Sequence, residues 1–154
     1  MIRERIGQSM KDAMKAGDKR RLATLRLVTA AIKDRDLGVG GGPVPESGKI
    51  GDDEVLQLLT KMVKQRRESI DTYGKAGRQD LVDQETAEIA VIEEFMPRQM
   101  DDAQIRAAIG TVMKELSCES LKDMGKVMAA LKARYPGQMD FGKASGLVKQ
   151  MLNT

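Results

Sequence analysis

The basic side chains near the end of the chain have the chemistry of a phosphate-binding surface. Residues 120–154 hold six Lys and Arg against two Asp and Glu, and this block has no acidic counterpart nearby in the sequence. Such an excess is typical of proteins that neutralise nucleic-acid phosphates, while an excess that serves only solubility is the alternative. The candidate RNA-binding residues are Lys122, Lys126, Lys132, Arg134, Lys143 and Lys149.

A second set of cations, Lys19, Arg26 and Lys33, is spaced by seven residues along a predicted helix. These side chains form one stripe roughly 21 Å long, which could follow a nucleic-acid backbone. Residues 1–35 hold ten Lys and Arg against four acidic residues, and residues 36–96 hold seven against thirteen. Because the two charges match, we expect the stripe to pair with acidic residues of the next two helices.

The residues that are missing exclude most catalytic chemistry. The chain contains no histidine, which removes the usual general base and a common metal ligand, and Cys118 is its only cysteine. A lone cysteine is more often a small buried apolar residue than a nucleophile. The carboxylates at residues 52–54 and 85–94 are expected to have structural roles, because helical di-metal sites normally include histidine. We therefore predict no catalytic residue, no cofactor and no metal ligand.

A glycine-rich segment at residues 38–51 has the composition of a phosphate-binding loop but lacks its spacing. A P-loop requires Gly, four residues, and then Gly-Lys-Ser or Gly-Lys-Thr. Here Gly48 and Lys49 are followed by Ile50, and Pro43 stands where the first glycine is needed. The segment is therefore predicted to be a linker.

The elements that position these residues are predicted to be helices throughout. Apolar residues recur at helical spacing in seven stretches, and no stretch keeps the two-residue alternation of a strand. Gly17 ends the first predicted helix, and Asp52 is the predicted N-cap of the third. Asp101 and Gln104 have the spacing of a capping box for the fifth. The fold class is therefore predicted to be all-α.

Pro97 marks the predicted domain boundary, because proline cannot extend the helix that precedes it. Residues 1–96 are predicted to form a larger N-terminal helical domain, and residues 97–154 a small C-terminal three-helix domain. Gly125 and Gly146 lie inside helices of the second domain. We expect these glycines to allow close helix packing, with the approach of a ligand as the alternative.

The location of the protein is predicted from its apolar segments. No run of apolar residues approaches the length of a membrane span. The first six residues lack the apolar segment of a secretory signal. We therefore expect a cytoplasmic protein with no membrane association.

Five segments of the chain carry a resemblance to a known family. They are residues 26–33 (RLVTAAIK), 63–70 (VKQRRESI), 76–81 (AGRQDL), 95–100 (FMPRQM) and 124–128 (MGKVM). Together, in this order, they resemble the GatB/YqeY family over essentially the whole chain. That family contains stand-alone YqeY-like proteins and the tail of the B subunit of glutamine-dependent aminoacyl-tRNA amidotransferases.

The resemblance implies a larger N-terminal helical region followed by a small three-helix domain, in agreement with the boundary at Pro97. It also implies tRNA as a partner, because the amidotransferase tail helps to bind tRNA. Amidation belongs to other domains and subunits of that enzyme. The label of a carbon–nitrogen ligase with glutamine as amido-N-donor would then describe the parent complex, and this chain alone is not expected to be an enzyme.

The predicted function is a non-catalytic tRNA-binding helical protein that contacts RNA phosphates through its basic C-terminal domain. One alternative is an accessory to glutamine-dependent tRNA amidation, with a tRNA amidotransferase as its partner. The other is a protein–protein adaptor whose long helix at residues 52–73 docks another protein. No oligomeric state is predicted.

Overall fold

The computed structural model describes residues 1–153, which contain seven α-helices, one short 3-10 helix and no strand. The all-α prediction is confirmed. No helix in the described range combines the length and hydrophobicity needed to cross a bilayer. The elements are α1 (Ile2–Ala16), α2 (Lys19–Asp36), α3 (Asp52–Lys75), α4 (Gln79–Glu93), α5 (Asp102–Glu115), the 3-10 helix (Leu121–Asp123), α6 (Met124–Arg134) and α7 (Phe141–Leu152).

Several helix ends follow from the residues that flank them. Gly17 adopts a left-handed conformation with φ of 69° and ends α1, because glycine enters that region without steric cost. The carboxylate of Asp18 then caps α2 by accepting a hydrogen bond from the amide of Arg21 at 3.1 Å. Asp101 and Gln104 form the predicted capping box at the start of α5. These local signals are confirmed.

The predicted role of Asp52 as N-cap of α3 is wrong. Gly51 occupies the cap position, and Asp52 is the first helical residue. Its carboxylate instead accepts hydrogen bonds from the amide of Ile2 at 3.3 Å and the amino terminus at 3.4 Å. Asp52 therefore fastens the start of α1 to the start of α3, a contact that local sequence cannot specify.

The chain divides into two compact units, one formed by Met1–Met96 and the other beginning at Pro97. We call them the N-terminal and the C-terminal unit. That each unit folds as a separate domain stays a prediction. The N-terminal unit contains α1 to α4 around one apolar core, whose fully buried side chains include Leu25, Val28, Val55, Leu59 and Ile92.

The C-terminal unit packs α5, α6 and α7 around a second core. Its fully buried side chains include Ile109, Val112, Val127, Leu131 and Val148. Cys118 is also buried there, as a small apolar residue. The segment that enters this unit is held against the turn between α6 and α7, because the amide of Met100 donates to the carbonyl of Gln138 at 2.8 Å.

Candidate nucleic-acid interface

The structure brings Lys122 and Lys126 together around Asp123 at the start of α6. The carboxylate of Asp123 accepts hydrogen bonds from the amides of Glu119 at 3.1 Å and Ser120 at 3.4 Å. These bonds lower the pKa of Asp123, and the two lysines lower it further. The ammonium of Lys126 lies 4.0 Å from the carboxylate, at the outer limit of a salt bridge, and its side chain is 70% exposed. Both lysines are thus open to solvent.

Lys132 in α6 and Lys149 in α7 are also exposed, and neither forms an ion pair with another residue of the described range. Residues six positions apart on a helix point about 120° away from each other. Lys126 and Lys132 therefore lie on different sides of α6, and Lys143 and Lys149 on different sides of α7. The six predicted residues do not share one face.

Two of the predicted residues are paired with acidic residues of α5. Arg134 lies 2.6 Å from Glu115, and Lys143 lies 2.5 Å from Asp102. All four side chains are more than 40% exposed, and such surface pairs stabilise a protein by only about 0–1 kcal/mol. The more available cations are Lys122, Lys126, Lys132 and Lys149, which we call the C-terminal lysines.

Two further cations of this unit were missed by the sequence analysis. Arg106 and Lys114 are exposed on α5, eight residues apart, and form no ion pair within the part of the chain that the structure describes. At this spacing their side chains point about 80° apart, on one side of the helix. Acidic residues in the same part of the sequence balance the charges of Arg106 and Lys114, so a count of charges shows no positive excess there. Their spacing is the signal that could have identified them.

The expectation of close helix packing at Gly125 and Gly146 is wrong. Both glycines are exposed, and a Cβ atom at either position would have no described atom of a neighbouring element within 4 Å. The two glycines lie on the outer surfaces of α6 and α7, away from the helix interfaces. The helical spacing of residues in the sequence does not show whether a glycine faces another helix or solvent, because glycine has no side chain to add to the apolar pattern.

The expectation that Lys19, Arg26 and Lys33 pair with acidic helices is also wrong. All three are exposed on α2, and none forms a salt bridge within residues 1–153. We call them the α2 ridge. Several of the acidic residues that were expected to pair with the ridge are bound by other arginines. These pairs are Arg21–Glu94, Arg35–Glu54, Arg66–Glu88 and Arg67–Glu93.

These arginine pairs join different helices of the N-terminal unit. Arg21 donates to Glu94 at 2.5 and 3.1 Å. Arg66 donates to Glu88 at 2.8 Å, and both side chains are about 15% exposed. Glu85 lies 4.0 Å from Arg66; burial raises the pKa of Glu85, as does the neighbouring charge of Glu88, while Arg66 opposes them. These carboxylates have the structural role that we expected.

Asp36 is a buried carboxylate of this unit, and it pairs with Arg3. The guanidinium of Arg3 donates to both carboxylate oxygens, at 2.9 and 2.8 Å, and the amide of Ile50 donates to the same carboxylate at 2.8 Å. The hydrogen bonds from Arg3 lower the pKa of Asp36, and the Ile50 amide contributes in the same direction. Asp36 therefore joins α1, the end of α2 and the end of the long loop.

The fold and these surfaces define an all-α protein with two helical units, of which the second presents exposed lysines. A family model described as "Yqey-like protein" matches residues 3–152. The chain therefore belongs to the YqeY-like family, and the resemblance to the GatB/YqeY family is confirmed.

Several curated relatives share the name "Altered inheritance of mitochondria protein 41, mitochondrial". The one from Eremothecium gossypii is 35% identical over 91 residues, which cover 59% of this chain and 46% of that protein. The one from Lachancea thermotolerans is 29% identical over 113 residues, which cover 72% of this chain and 57% of that protein. The chain spans about half the length of these relatives. Their names state no catalytic activity, in keeping with the expectation that this chain alone is not an enzyme.

The expectation of a cytoplasmic location is wrong, because these relatives are named as mitochondrial proteins. Our prediction considered only the apolar signal of secretion. Mitochondrial targeting uses amphipathic, arginine-rich segments, so the absence of an apolar segment does not bear on it. The expected partners, namely tRNA, a tRNA amidotransferase or another protein, stay predictions.

Proposed function

We propose that this chain is a non-catalytic RNA-binding protein whose C-terminal lysines contact the phosphates of tRNA. The observation that carries the proposal is the exposure of Lys122, Lys126, Lys132 and Lys149, together with their lack of any close ion pair among the described residues. A cation that already has a carboxylate partner must break that pair to bind a phosphate. Lys122, Lys132 and Lys149 do not have to, and Lys126 gives up only its 4.0 Å contact with Asp123. Each phosphate that they neutralise releases counterions and adds affinity.

Gly125 and Gly146 support the same surface. A glycine inside a helix costs about 0.5–1 kcal/mol relative to alanine. Neither glycine has a left-handed conformation, and neither is needed for packing between the described elements. Gly125 lies seven residues before Lys132 and about 20° from it around α6, where a bare helix surface lets a ribose–phosphate backbone approach closely.

Phosphate contacts give affinity without sequence selection, so tRNA specificity would come from recognition of its shape. Lys126 and Lys132 lie on different sides of α6, a distribution that suits a curved or folded RNA better than a straight duplex. The choice of tRNA rather than another RNA rests on the resemblance to the amidotransferase tail.

The adaptor alternative is less well supported by the structure. Its proposed docking element was the long helix at residues 52–73. The apolar side chains of that helix, among them Val55, Leu59 and Val63, are buried in the core of the N-terminal unit. They are not available for a partner protein.

The direct test is binding of total tRNA by filter retention at about 50 and 200 mM salt. The triple charge-reversal variant of Lys122, Lys126 and Lys132 (each to Glu) should bind more weakly than the unmodified chain. Its log–log salt slope should also fall, by about one for each phosphate contact that is lost. No saturable binding at the lower salt concentration would refute the proposal.

A matched control reverses three charges on the α2 ridge, at Lys19, Arg26 and Lys33. This variant has the same net charge as the C-terminal one. A difference in tRNA binding between the two variants therefore reflects where the reversed charges lie and not how many there are. We expect it to keep the salt slope of the unmodified chain. A slope reduced only by the ridge variant would overturn the assignment to the C-terminal lysines.

A further inference from the structure

A pocket of about 310 Å³ opens between α1 and α2 in the N-terminal unit. Its inner wall is apolar and is formed by Ile6, Met10 and Ile32. The hydroxyl of Thr29 donates to the carbonyl of Leu25 at 2.9 Å and contacts the sulfur of Met10 at 3.1 Å. That end of the pocket therefore has no polar group in need of a partner, and the interior suits an apolar chain.

Gly7 lines the pocket. It lies in the middle of α1, where a glycine costs about 0.5–1 kcal/mol relative to alanine. Its backbone is not left-handed, and a Cβ atom at this position would meet no described atom beyond its own part of α1 within 4 Å. Neither conformation nor steric exclusion requires the glycine. Its effect is to leave the wall between α1 and α2 without a side chain.

The charges around the opening favour an anion. Arg3 and Asp36 also line the pocket, but they are bound to each other. Lys33 and Lys49 line it too, and both are exposed. Neither ammonium has an ion-pair partner in the range from Met1 to Asn153. The rim thus has two exposed positive charges above an apolar interior, and the charge of Lys49 also helps to lower the pKa of Asp36.

We propose that this pocket binds a small single-chain amphiphile, with the apolar chain against Ile6, Met10 and Ile32 and the anionic head group between Lys33 and Lys49. The size of the pocket lies at the lower end of the range of small-molecule sites, which are mostly apolar with a few polar groups that fix orientation. The site is separate from the C-terminal lysines and does not depend on RNA binding.

Octanoate is a suitable probe, because it is soluble and monomeric and combines an apolar chain with a carboxylate. Binding is followed through the methyl resonances of the full chain labelled with [methyl-13C]methionine, with the Met10 signal assigned by the Met10→Leu variant. Octanoate should shift the Met10 signal saturably, with a dissociation constant on the order of 1 mM for a ligand of this size. The signal of Met139, which is buried in the C-terminal unit, should not move.

Three further probes test whether the pocket selects an anionic head group and whether it binds a free amphiphile or a membrane surface. Octanol and octylammonium, which have the same chain without the negative charge, should shift the Met10 signal at least several-fold more weakly. A Met10 signal that is unmoved by about 10 mM octanoate, or that responds equally to octylammonium, overturns the proposal. A response to vesicles of acidic phospholipid without a response to octanoate also overturns it, in favour of a membrane surface.

Variants locate the site. Gly7→Leu places a side chain in the pocket and should abolish the octanoate response, whereas Gly74→Leu, a similar change in α3, should preserve it. Reversal of Lys33 and Lys49 to Glu should weaken octanoate binding by about tenfold, since each exposed ion pair contributes a small free energy. Reversal of Lys11 and Lys15, exposed cations that do not line the pocket, should not. Equal octanoate affinities in all four variants would contradict the proposal.

Discussion

The two units of this chain use their positive charges differently. In the N-terminal unit, arginines reach from one helix to carboxylates of another, as in Arg21–Glu94 and Arg66–Glu88. In the C-terminal unit, most cations are lysines that extend into solvent. The guanidinium offers several donors in a planar fork that matches a carboxylate, whereas an ammonium is a strongly hydrated point charge. An available charged surface is therefore identified by the cations that have no carboxylate partner on a neighbouring helix. Net charge alone does not identify it.

The largest expected effects test whether the two units are energetically separate. Leu59→Ala in α3 and Leu131→Ala in α6 each remove a fully buried side chain and should lower the free energy of unfolding by about 2–5 kcal/mol. Each substitution should accelerate amide exchange within its own unit, and hydrogen exchange followed by mass spectrometry measures that rate. Faster exchange throughout the chain from either change would mean that the units unfold together.

The next prediction contrasts an enclosed ion pair with an exposed one. Asp36→Ala removes three hydrogen bonds, leaves the buried amide of Ile50 without its acceptor, and leaves Arg3 with only the carbonyl of Ile50. It should lower the free energy of unfolding by about 3 kcal/mol. Glu115→Ala breaks the exposed pair with Arg134 and should cost less than about 1 kcal/mol. Chemical denaturation measures both, and similar losses would contradict the difference between the units.

The same carboxylate makes the stability of the N-terminal unit sensitive to acid. Because Arg3 lowers the pKa of Asp36 from its ordinary value of 3.8, the folded state favours the charged carboxylate. The resulting stabilisation is present above that ordinary value and is lost as the pH falls through the lower folded-state pKa. The difference in melting temperature between the unmodified chain and Asp36→Asn should therefore shrink between about pH 5 and pH 2. A difference that stays constant would show that ionisation of Asp36 does not matter.

The smallest expected effects concern single glycines. Gly125→Ala adds a methyl group to an exposed helix surface with open space around it, so it should stabilise the C-terminal unit by about 0.5–1 kcal/mol. Gly17→Ala should destabilise the N-terminal unit by roughly 1 kcal/mol, because Gly17 is left-handed. Thermal unfolding measures both changes. If Gly125→Ala also weakens tRNA binding, the proposed approach of the RNA backbone at this glycine is supported; unchanged binding would count against it.

Much of the fold follows from local signals in the sequence. The left-handed Gly17, the capping box of Asp101 and Gln104, and the helical spacing of apolar residues are each decided by a few neighbouring residues. Asp52 illustrates the opposite case, since its carboxylate is used by Ile2, fifty residues away in the sequence. No local pattern contains that information.

The candidate site shows the same limit more clearly. Lys19, Arg26 and Lys33 occur on the same helix as Arg21 and Arg35, and only the positions of α3 and α4 decide which of them meet a carboxylate. The charges of residues 1–35 and 36–96 balance as expected, but the cations predicted to carry that balance were the wrong ones. Gly125 and Gly146 were likewise expected to face neighbouring helices, whereas both are exposed.

The link between Arg3, Asp36 and Ile50 has a practical consequence for the long loop after α2. The amide of Ile50 donates to Asp36, and Arg3 donates to Asp36 and to the carbonyl of Ile50, so both ends of the loop are held at its base. Doubling the length of a flexible loop costs only about 0.6 kcal/mol of closure entropy. The exposed glycines at 40 and 41 therefore offer a place to insert an epitope tag or a fluorescent reporter while the four helices stay joined.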